Sequence, residues 1–149
     1  MLCYLEAVRL VAFLVVLAAC NDLRGFDGAW RGPRVGDAAV LTVGPGTGAA
    51  LEIDHIDRHG LAGELTVDGL FDHAKLVSLP GAEADVLSNM TFDGSPLRVY
   101  LAFVDVPDGG GQALGMVALY DDKRIEVRVL RGGTQPLYGI YALAQDPPP

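Results

Sequence analysis

From residue 28 onward, short runs of alternating apolar and polar residues are broken by turn signals every eight to twelve residues. Alternation sends successive side chains to opposite faces of an extended chain, so each run describes a strand with one face buried and one wet. Lys123 to Leu130 is the cleanest run: Ile125, Val127 and Val129 share one face, and Arg124, Glu126 and Arg128 the other. Leu61 to Val67 repeats the pattern, and in Ala49 to Ile56 Leu51 and Ile53 oppose Glu52 and Asp54. Further strands are expected over Ala29 to Arg31, Ala38 to Val43, Leu70 to Leu79, Leu97 to Val106, Gln112 to Tyr120 and Leu137 to Leu143. Glycine, proline and aspartate clusters separate them, notably Gly44-Pro45-Gly46, Asp57-Arg58-His59-Gly60, Pro107 to Gly111 and Gly132-Gly133. Gly81 to Ser88 is the weakest stretch and has room for a short helical turn; no segment carries a convincing helical period. The expectation is an all-β domain of about eight to ten strands. A meander of hairpins tends to close because closure removes exposed edges, which favours an antiparallel up-and-down β-barrel over a β-sandwich.

The first twenty residues obey different rules. Leu10 to Ala19 reads LVAFLVVLAA, without a charged or polar group. Ten residues are too few to span a bilayer of about 30 Å as a helix, but they suit the apolar region of a secretory signal. The run ends in Leu17-Ala18-Ala19-Cys20. This resembles the lipobox of bacterial lipoproteins, in which a Leu and two small residues precede the cysteine whose thiol receives diacylglycerol. The resemblance implies cleavage after Ala19, lipid on Cys20 and stable anchoring through more than one acyl chain. Asn21 is not the residue that retains enterobacterial lipoproteins at the inner membrane, so the outer membrane of a bacterial envelope is the expected location. Glu6 and the single basic residue Arg9 are atypical ahead of a signal's apolar run. Initiation at Val8 would remove Glu6; a mapped translation start upstream of Glu6 would exclude it.

The expected organisation is a signal peptide over 1–19, a lipidated cysteine and tether over 20–27, a β-barrel domain over 28–144 and a Pro-rich tail over 145–149. Cleavage also removes Cys3, so the remaining 130 residues (149 − 19) hold no cysteine pair and must rely on their core. The net charge of −8 argues against nucleic acid and against broad contact with anionic headgroups.

Asp27-Gly28-Ala29-Trp30-Arg31-Gly32 contains Gly-x-Trp at the first expected strand. This resembles the first strand of lipocalins and related calycin barrels. The resemblance implies that Trp30 closes one end of the barrel and that an arginine from a late strand, Arg128 or Arg131, packs across it.

No catalytic motif is present. Ser78, Ser88 and Ser95 lie outside any Gly-x-Ser-x-Gly elbow, and Asp121-Asp122 are turn neighbours that point apart. Gly109 to Gly111 precede a strand, whereas phosphate loops precede a helix N-terminus. The sequon Asn89-Met90-Thr91 has little meaning in a bacterial lipoprotein. His55, Asp57 and His59 share one face only if their strand runs on, in which case they offer zinc or copper ligands, with His73 beside Asp72 as a fourth. A polar hairpin tip is the competing reading. Tyr138 and Tyr141, three apart, fall on opposite faces of the last strand, one in the core and one at the surface. No cofactor and no enzymatic activity are expected.

Two functions remain. The domain is either a structural or interaction subunit docked to envelope proteins, or a lipocalin-like module that binds a small apolar or lipid ligand inside the barrel. The interior decides between them. Leu51, Ile53, Leu65, Val127 and Val129 are apolar enough to line a cavity, and equally able to fill it.

Overall fold

The computed structural model describes residues 23–36, 48–57, 59–78, 81–105, 111–132 and 136–147. Nine strands are seen: β1 (Gly28–Gly36), β2 (Gly48–Ile56), β3 (Leu61–Val67), β4 (Phe71–Lys75), β5 (Val77–Ser78), β6 (Arg98–Asp105), β7 (Gln112–Leu119), β8 (Ile125–Arg131) and β9 (Leu137–Gln145). A single described helix, α1 (Gly81–Thr91), lies between β5 and β6. All strands join one sheet in the order β4-β3-β2-β1-β9-β8-β7-β6-β5. Every paired neighbour is antiparallel, and β1 pairs with β9. The domain is thus an all-β, nearly closed barrel.

The two edges of the sheet, β4 and β5, are consecutive in the chain with only Leu76 between them. Leu76 N–H donates to Gly63 O of β3 at 3.0 Å, and the next residue, Val77, pairs with Leu101 of β6. One extended stretch therefore passes from β3 to β6 and draws the sheet around on itself. This accounts for the single strand expected over 70–79.

Alternation sorts the walls as the sequence implies. Leu51, Ile53, Leu65, Val127, Val129 and Tyr141 point inward and are at most 2% exposed. Glu52, Asp54, Asp72 and Lys75 point out. The small inward residues make room for large ones: a Cβ on Gly115 would lie 2.7 Å from Leu65 Cδ2. Gly32 lets β1 approach β9 so closely that a Cβ would strike the carbonyl of Ala142.

Boundaries differ from expectation at several points. β1 runs on to Gly36, past Pro33, with a shift of register against β9 between Arg34 and Gly36. β9 extends to Gln145, and the next residues are pinned: Gln145 Nε2 donates to Asp27 O at 3.0 Å and Asp146 N–H to Ala29 O at 2.8 Å. The strand expected over 38–43 lies outside the described residues. A helix of 11 residues stands where at most a turn was expected, with acidic Glu83 in its first turn, where it suits the helix dipole.

The helix marks a second layer. Phe92, Val99, Leu101, Met116, Ala118 and Tyr120 form a separate apolar cluster on the outer side of β6 and β7. Arg128 fastens the end of α1 to it. Its guanidinium sits over the Phe92 ring, donates to Thr91 O and to Tyr138 Oη, and pairs with Glu126 at 2.6 Å.

Candidate functional site

Cys20 and the lipobox residues Leu17, Ala18 and Ala19 lie outside the described residues. The segment just after them does not. Leu23 and Phe26, inside the stretch expected to be a tether, belong to the core. Phe26 is fully buried, stacks on Trp30 with ring centroids 5.9 Å apart, and its carbonyl accepts from Trp30 Nε1 at 2.9 Å. Lys123, from the β7–β8 turn, lies 4.6 Å from the Phe26 ring centroid and donates to Arg24 O. Gly25 makes the bend with a φ of 83° that a side chain would oppose.

Trp30 is 3% exposed and lies near the end of the barrel where β1 begins, away from the two arginines expected to pack across it. Arg128 is on the outer face under α1, and Arg131 is at the other end of β8, paired with Leu137. A cation that does act at the tryptophan end is Lys123, whose contact is with Phe26. Nothing in the spacing marks Phe26 or Lys123 for this role, because their contact spans most of the chain.

The histidine cluster is a turn. Asp57 Oδ1 accepts from His59 N–H at 2.7 Å and Gly60 N–H at 3.1 Å. These bonds, the one from His59 foremost, lower the Asp57 pKa below its ordinary 3.8. His55 Nε2 stands 3.5 Å from Asp57 Oδ2. His73 is not a fourth partner: it lies on β4, with Nδ1 3.1 Å from Glu64. Among the described residues no group of three His, Cys, Asp or Glu side chains is placed to hold a metal ion. Asp121 and Asp122 sit in the tight β7–β8 turn, where Asp122 accepts from Arg124 N–H at 3.1 Å. Ser78 lies in β5 and Ser95 in the connection after α1.

The interior of the barrel is occupied. Tyr141, Phe26, Leu51, Ile53, Leu65 and Leu137 are among the largest fully buried side chains. Burial pushes the Tyr141 hydroxyl above its ordinary pKa of 10.0. A groove of about 450 Å³ does exist, but it is open and on the outer wall of β1 and β2, between Arg31 and Asp68.

The outer wall carries a different feature. Phe103 of β6 pairs in register with Leu114 of β7, Leu114 with Leu130 of β8, and Leu130 with Tyr138 of β9. These four form one row across four strands. Phe103 is 48% and Leu130 42% exposed. Leu114 packs against the second cluster, so the row is the uncovered continuation of the surface beneath Phe92. Tyr138 is the half-exposed partner of buried Tyr141, as their spacing implies.

Among the described residues no helix is long and apolar enough to cross a membrane. The outward faces of β2 and β4 carry the charged residues Glu52, Asp54, Asp72 and Lys75, while the inward faces are apolar. No family model matches the chain, and no curated protein and no solved structure matches it either.

Proposed function

We propose that this chain is a lipoprotein of the bacterial envelope, acylated on Cys20, held on the outer membrane, and acting as a structural or interaction subunit. The observation that carries the choice is the filled interior. A ligand-binding barrel needs an enclosed space of a few hundred Å³, and here inward side chains that are at most 2% exposed occupy that volume. This supports the interaction subunit over the lipocalin-like alternative. The surface left for function is the row Phe103, Leu114, Leu130 and Tyr138. Because it continues the face that Phe92 covers, its occupant is a protein segment that supplies apolar side chains and extends that second layer. Aromatic residues such as Phe103 and Tyr138 are enriched in protein interfaces.

The test is purification from native membranes, with the mass of the intact chain and of whatever accompanies it. The proposal expects residues 20–149 plus acyl groups, and a stoichiometric envelope protein that the double change Phe103→Ser, Leu130→Ser releases. A retained small molecule without a protein would favour the binding barrel. An unmodified chain starting at Met1 would overturn the anchoring.

A further inference from the structure

Residues 23–27 tie the N-terminus of the domain to one end of the barrel at almost every position. Leu23 and Phe26 are buried, Arg24 O accepts from Lys123, and Asp27 O accepts from Gln145. The strand directions place Trp30, the Asp57–Gly60 turn, the Tyr120–Arg124 turn and the end of β9 at this same end. The ends of β1, β3, β6 and β8 at Gly36, Val67, Asp105 and Arg131 are at the opposite one.

We infer that the barrel stands on the membrane on its Trp30 end, pressed close to the lipid headgroups by a tether of two residues, and that the β1, β3, β6 and β8 ends point away. The inference rests on lipid at Cys20. Only Asn21 and Asp22 separate that residue from buried Leu23. Three Cα steps reach at most about 11 Å, less than the length of the barrel, so the domain cannot turn its far end to the bilayer. Charge is not what holds it there. Asp27, Asp57, Asp121, Asp122 and Asp146 crowd the same end as Arg24, Lys123 and Arg124. With five aspartates against three cations in that set, the surface has no strong attraction for anionic lipid. The stand-off is set by chain length alone.

Trp30 is the only tryptophan and sits at the end in question. It is therefore a built-in reporter. Acylated full-length protein is reconstituted into phosphatidylcholine vesicles containing a dansyl-headgroup lipid, and energy transfer from Trp30 is measured. A second form carries about twenty Gly/Ser residues between Asp22 and Leu23, a linker with a span of roughly 25 Å. The linker alters no barrel residue, and circular dichroism verifies the fold. The expected result is strong transfer in the natural chain, several-fold less with the linker, and no change between low and high salt. Equal transfer in both forms of an acylated protein would overturn the orientation and leave the anchoring standing; so would transfer that high salt abolishes. A mass without acyl groups would overturn both.

Discussion

The wall made by β1 to β4 and the wall made by β6 and β7 use the same strand geometry, yet one is a single layer and the other is covered on both sides. In β2, buried Leu51 and Ile53 alternate with exposed Glu52 and Asp54. In β6, Val99, Tyr100, Leu101 and Ala102 are buried in succession, and in β7 burial is unbroken from Gly115 through Tyr120. The difference is written in the residues. Gln112 to Tyr120 contains no polar residue after Gln112, so neither of its faces is suited to water. A strand that fails to alternate needs a second cover, and Phe92, just after α1, packs with Met116, Ala118 and Tyr120 on that outer face. Phe103 and Leu130 lie beyond its reach.

The comparison can be broken at several points. Inside the barrel, Tyr141→Ala should cost about 3–5 kcal/mol, the range for deleting a large ring from a closed core; denaturant unfolding measures it. On the outer layer, Phe92→Ala should cost less, about 2–3 kcal/mol, because the cluster is thinner and collapses more easily. Equal losses would mean that the outer cluster is a core in its own right. The pair Phe103→Ser, Leu130→Ser should leave stability within about 0.5 kcal/mol of the parent. A loss of several kcal/mol would show the row to be packed within the domain rather than offered to a partner.

The smallest effect is expected at the single-layered wall's Asp57. Its folded pKa is depressed, so the stability it contributes is present above its ordinary 3.8 and is lost as pH falls through the lower folded value. Asp57→Ala should therefore differ slightly from the parent at neutral pH and converge with it on acidification. A gap that persists in acid, where the carboxylate is protonated in both states, would point to packing rather than to its charge.

Much of the fold was legible because it is local. Ile125, Val127 and Val129 are inward, and β3 matches its expected bounds, because alternation is a property of the extended chain itself. The packing of the interior was not legible: apolar residues line a cavity and fill one equally well, and only the three-dimensional burial of Leu51, Leu65, Val127 and Tyr141 distinguishes the two. The helix escaped because its eleven residues lack a stripe of helical period.

What the sequence determined by itself was the strands, the faces they bury and, at the level of expectation, the anchor at Cys20. The tertiary structure decided where remote residues meet. Lys123 closes over Phe26 although the two lie far apart in the chain, and Arg128 serves the helix instead of Trp30. The physical reason is register. Which side chains share an end or a face of a closed sheet depends on how all the strands align as β1 meets β9, and no local pattern carries that information.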